Sequence, residues 1–177
     1  MPASIVIPRP LPGEHSESAG AYVASVPGAD AWPALASQGA EVGRMLGALP
    51  EARALHRYAP GKWSVKEVVG HLCDAERIYA YRALRFARAD ETPLPGFEED
   101  DYVPAGRFDA RPLGELLEDW RTVRASTLSL YRGLDGEALL RRGVANGKLV
   151  SVRAIAWLAV GHTQHHLGVL RERYGVR

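Results

Sequence analysis

Four stretches of this chain repeat apolar residues at helical spacing, and almost none alternates them as a strand would. That pattern restricts the fold more than any single motif does. The first stretch begins at Asp30, "DAWPALASQGAEVGRMLGALP", with Trp32, Leu35, Val42, Met45, Leu46 and Leu49 on one face and Pro50 as a stop. The second opens at "WSVKEVVGHL", where Ser64 and Glu67 have the spacing of a capping box, each satisfying an orphan backbone N–H of the other. Its apolar face runs through Val65, Val68, Leu72, Ala75, Tyr79 and Phe86 to about Ala89. The third starts near Pro112, with Asp109 as its candidate cap, and carries Leu113, Leu116, Leu117, Trp120, Val123, Leu128 and Leu130. The last, "SVRAIAWLAVGHTQHHLGVLRERY", is opened by Ser151 and closed by Gly175.

These four periods predict an all-α fold, a four-helix bundle with long inter-helix connections. The longest connection, "ADETPLPGFEEDDYVPAGRFDARP", is either functional or packed on the body, and its acidic run "FEEDD" reads as a solvated loop. "GLDGEALLRRGVANGKLV" reads as a second connector with room for one short turn. Residues 1–29 are Pro- and Gly-rich and are read as an extended N-terminal arm, with residues 30–177 forming a single bundle domain.

Composition narrows the function. A net charge of +1 leaves no broad basic field for nucleic acid. No apolar run approaches the roughly 18 residues that cross a bilayer. The N-terminal stretch lacks the basic and apolar regions of a signal peptide. The one cysteine, Cys73, cannot form an intrachain disulfide and fits a reducing cytoplasm.

The chemistry concentrates in "GHTQHH", residues 161–166, which holds three of the six histidines. On a helical wheel, Val152, Ile155, Ala159 and Leu170 define the buried face of the last helix. His162 and His166 fall on either side of Ile155, roughly 40° apart, whereas His165 lies roughly 80° away at the periphery. An i, i+4 histidine pair is a way for one helix to offer two nitrogens to one metal ion. A third ligand must come from elsewhere. His15 lies in the arm and His56 in a loop, so His71, at the edge of the second helix's apolar face, is best placed. The competing reading is a histidine pair that binds nothing, with His71 a hydrogen-bonded structural histidine. Three neutral imidazoles suit zinc, nickel or iron(II) and leave positions for water or substrate. Glu76 and Cys73 sit roughly 140° and 200° around their helix from His71. Glu76 is therefore read as an ion-pair partner for an arginine of a neighbouring helix, and Cys73 as a buried, inert thiol. Arg82 lies on the His71 side of the same helix, where it can face an anionic substrate, although an ion pair is the commoner use of such an arginine. No residue stands out as a general base, although Asp74, Glu76 and Tyr79 are near in sequence.

Three segments, "YAPGKWSVKEVVGHLCDAERIYAYRALRFARAD", "TPLPGFEEDDYV" and "SVRAIAWLAVGHTQHHLGVLRERYG", resemble the DinB-like, YfiT-like superfamily of bacterial metal-binding four-helix bundles. The resemblance spans about Tyr22 to Tyr174. It rests on shared order: a Trp-Ser helix start, a histidine soon after, a Pro-Gly loop and a terminal His-x-x-x-His helix. It implies one divalent metal on His71, His162 and His166, and a homodimer. It also implies a cytoplasmic enzyme with a small-molecule substrate, most directly an S-transferase using a low-molecular-weight thiol of the bacillithiol or mycothiol type. A metal-dependent hydrolase with the same site is the second expectation, and a non-catalytic stress-response bundle the third.

Overall fold

In a computed structural model, residues 5–176 are described. Four long helices dominate: α2 (Trp32–Leu46), α4 (Val65–Ala87), α6 (Leu113–Arg132) and α8 (Val152–Tyr174). Short ones fill the connections: α1 (Glu17–Ser25), α3 (Glu51–Ala54), α5 (Glu99–Gly106) and α7 (Gly136–Leu140). Among the described residues, no helix is long and apolar enough to cross a membrane. α4 packs on α6 and α8, and α2 packs on the same two. The order around the bundle is therefore α2, α6, α4, α8. The consecutive long helices α2 and α4 face each other across a diagonal, as do α6 and α8. Diagonal succession lengthens the connections from α2 to α4 and from α6 to α8, whereas the longest one joins the adjacent α4 and α6 and is packed on the body.

The helix starts form as local chemistry dictates. Ser64 Oγ accepts from Glu67 N at 3.0 Å while Glu67 Oε2 accepts from Ser64 N at 2.8 Å, so the capping box is complete. Ser151 Oγ accepts from Ala154 N at 3.1 Å to start α8. Gly175, at φ 65°, ends it in the left-handed conformation that glycine adopts without strain. Asp109 does not cap α6. Pro112 is the N-cap residue, and Leu113 N donates instead to Glu51 Oε1 of α3 at 2.8 Å. Asp109 accepts from Ser64 Oγ and pairs with Arg57.

The N-terminal segment is not extended throughout. Ser16 accepts from Ala19 N at 3.3 Å and starts α1. Val23 is buried and Ala19 and Tyr22 pack on the core, so a short apolar face docks on α8. The close approach needs Gly161, where a Cβ would lie 2.2 Å from the Tyr22 carbonyl oxygen. Upstream, Trp157 Nε1 donates to the Ile7 and Pro8 carbonyls at 3.1 Å. Glu14, 1% exposed, accepts from Ser151 Oγ at 2.8 Å and Arg153 Nε at 2.7 Å.

The second connector holds more than a turn. α7 is followed by an antiparallel hairpin, β1 (Arg142–Ala145) and β2 (Lys148–Ser151). Asn146 and Gly147 form its turn with φ 51° and 68°, the positive values that an Asn-Gly pair favours. Leu94 of the Pro-Gly loop bonds to the hairpin through Val144 and Asn146. Two apolar clusters form the core, one around Trp157, Phe86 and Tyr131, the other around Trp120, Leu72 and Leu167.

Candidate metal centre

Buried polar side chains lie among these apolar clusters, and two groups of them share α4 and α8. One is centred on Arg124 of α6, 1% exposed. Its guanidinium donates to Leu35 O (3.1 Å), Gln38 Oε1 (3.0 Å), Glu76 Oε2 (3.0 Å) and Thr163 Oγ1 (3.2 Å). It ties α2, α4 and α8 to α6 and uses the Glu76 carboxylate as its counter-charge, the neighbouring-helix ion pair read from the sequence. Cys73 is buried, as the wheel placed it, and burial pushes its thiol up to about 12, away from the reactive thiolate form.

The other group is His71, His162 and His166. α4 supplies the first and successive turns of α8 the other two. Their candidate ligand nitrogens all lie within 4.8 Å of one another. His71 Nε2 is 2.9 Å from His162 Nε2, which is 3.1 Å from His166 Nε2. His71 and His162 are 5% and 7% exposed. Trp63 packs against His71 and stacks on His166 at 6.4 Å, and Tyr22 and Tyr79 turn their edges to His162. The exposed His165 contributes no nitrogen to the cluster.

Burial holds all three imidazoles uncharged at neutral pH. His162 is pushed well below its ordinary value by burial, and secondarily by His166 and His71. His166 is lowered to about 3 by burial, then by His71. His71 is lowered by burial, with Glu99 and Asp100 opposing. A neutral imidazole nitrogen carries either one proton or one lone pair. His162 Nε2 can therefore complete a good hydrogen bond with only one of its two neighbours. A cation between the three nitrogens would engage all three lone pairs, so the donor set fits a divalent metal better than it fits itself.

Two clefts meet at this cluster. One, of about 220 Å³, is lined by His71, His162, Tyr22, Tyr79, Arg82, Phe97, Glu99 and Asn146. The other, of about 360 Å³, has His165, His166, Trp63, Asp100 and Tyr174 among its walls. Of the carboxylates near His71 in sequence, Glu76 is consumed by Arg124, and Asp74 lines a different depression with Arg77 and Tyr102. The carboxylate in the cleft is Glu99, the first residue of α5, from the acidic run "FEEDD" that reads as a solvated loop. The signal available in sequence was an acidic first helical turn ahead of Tyr102 and Val103.

A protein of Oceanobacillus iheyensis, provisionally named a metal-dependent hydrolase, is 25% identical over 135 residues, covering 73% of this chain and 75% of its own. Among solved structures, YfiT from Bacillus subtilis is described as a probable metal-dependent hydrolase with an unusual four-helix-bundle topology. It superposes with a TM-score of 0.74 over 95% of this chain and 94% of that one, at 18% identity. The family model described as the DinB superfamily matches residues 34–170, and with that match spanning most of its length the chain belongs to the DinB superfamily.

Proposed function

We propose that His71, His162 and His166 hold one divalent metal ion, zinc or nickel before iron, and that the protein is a metal-dependent hydrolase of a small molecule. The observation that carries this reading is the convergence of three uncharged imidazoles beside a cleft that also contains a carboxylate. A divalent ion in such a place lowers the pKa of a bound water toward about 7, or ionises a bound thiol outright. The protein's own groups supply the rest. Glu99 is the acceptor for the proton that the attacking water gives up, and the donor that returns it to the leaving group. Tyr22 and Tyr79 close the cleft around His162 and limit its water. The thiol S-transferase implied by the resemblance draws on the same centre, but an ionised thiol needs no base, whereas hydrolysis has a use for Glu99. The homodimer belongs to the same reading and is checked by light scattering of the purified protein.

The test is a panel of chromogenic esters and amides. Hydrolysis is expected with the metal-loaded protein, lost on chelation and restored by zinc or nickel. Glu99→Gln should lower turnover about 10²–10⁴-fold with metal content unchanged. Activity that survives chelation would overturn the reading. Turnover of electrophiles only when a small thiol is added would move it to S-transfer.

A further inference from the structure

The cleft lined by His71 and His162 does not end there. Tyr22, Tyr79, Arg82 and Asn146 also line a second cavity of about 210 Å³, between α1, α4 and the hairpin, so the two form one bent channel. Ser16, Ser18 and Lys148 line its far arm. Arg82, at the elbow, is half-buried, and burial lowers its pKa. Its neighbours on α4 are paired, Arg77 with Asp119 and Arg85 with Asp90. Arg82 instead donates only to the Pro95 carbonyl at 3.0 Å, and no carboxylate pairs with it among the described residues. Lys148 likewise reaches a hydroxyl, Ser18 Oγ at 3.0 Å, and no carboxylate. Arg82 therefore keeps guanidinium N–H groups that face the channel unpaired among the described residues, with Glu99 of the same cleft beyond ion-pair distance.

We infer that this channel is a two-part substrate site and that the substrate is an anion. Its carboxylate or phosphate sits on Arg82, with Lys148 adding long-range attraction, while its reacting bond lies at His71 and His162. The orientation rests on the hydrolase reading above; the anion subsite itself does not. Arg82 is a binding residue here, and Asn146, held at the hairpin turn by its N–H to Leu94 O at 3.0 Å, forms the wall between the two parts.

The probes are glutarate, inorganic phosphate and the uncharged dimethyl ester of glutarate, titrated calorimetrically into the purified protein before and after chelation. Glutarate or phosphate should bind and the ester should not; which anion binds tighter distinguishes carboxylate from phosphate substrates. Arg82→Gln should weaken anion binding about tenfold or more, and Lys148→Met about threefold. Arg82→Lys, which keeps the charge, should stay within about threefold of wild type, and circular dichroism checks that each variant is folded. Affinity unchanged in Arg82→Gln, equal binding of the ester, or equal losses in Arg82→Lys and Arg82→Gln would overturn the subsite. If Arg82→Gln lowers anion affinity both before and after chelation, the subsite stands whatever the chelation test of ester hydrolysis returns, so the two readings fail separately.

Discussion

Two buried polar clusters lie close together on α4 and α8, and they are built on opposite principles. Glu76 and Thr163 belong to one, His71 and His162 to the other. The first is closed. Arg124 brings a charge, Glu76 cancels it, and Gln38, Thr163 and a backbone carbonyl take guanidinium protons that the carboxylate does not. The second is open. Its three members are neutral, face one another, and cannot all be satisfied by sharing protons. A closed cluster can do nothing but hold helices in place. An open one turns unshared lone pairs toward a ligand, and this one lies where two clefts meet.

The largest effect should come from opening the closed cluster. Arg124→Met leaves Glu76 buried without a counter-charge and should cost about 3–5 kcal/mol. For a chain of this size that lowers the thermal midpoint by roughly 6–20 °C. Adding Glu76→Leu should recover most of the loss, because a well-packed apolar pair replaces the ion pair at little cost. Metal bound per folded chain should not change in either variant. If Arg124→Met empties the histidines while the protein is still folded, the clusters are one unit and the contrast fails.

A smaller effect separates another closed cluster from the open one by pH. The Arg153 guanidinium beside Glu14 holds its carboxyl down at about 2, against 4.5 for an unconstrained carboxyl. The folded state therefore binds this proton less readily than the unfolded chain. The stabilisation is complete above about pH 5 and is lost as pH falls toward 2. Glu14→Gln should cost about 1–3 kcal/mol at pH 7 and flatten the acid limb of a denaturation–pH series. An unchanged acid limb would mean that Glu14 is not the group that clamps the N-terminal segment to α8.

What could be read in the sequence follows the range of each interaction. The capping box at Ser64 and Glu67 and the pairing of His162 with His166 are contained in one helix, so spacing alone displays them. The placement of Glu76 opposite an arginine and of Cys73 away from the site followed from the same wheel. Glu99, Tyr22 and Asn146 were not legible as cleft residues, because each reaches it only through tertiary packing of a connection. Their local signals existed. "VANGKLV" carries an Asn-Gly hairpin turn, "FEEDDYV" an acidic first turn, and Ser16 stands at a helix cap. Asp109 shows the converse: a plausible cap by sequence, it is drawn to Ser64 and Arg57 once α4 lies alongside, and Glu51 takes its place.

The central claim, that the open cluster holds one metal ion, is tested most directly by elemental analysis of the purified protein and four alanine variants. Wild type should carry one divalent ion per chain. His71→Ala, His162→Ala and His166→Ala should each lose it while remaining folded, whereas His165→Ala should keep it with stability changed by less than about 0.5 kcal/mol. A wild type that binds no divalent ion under any loading, or a His165→Ala that loses metal while His166→Ala retains it, would contradict the account.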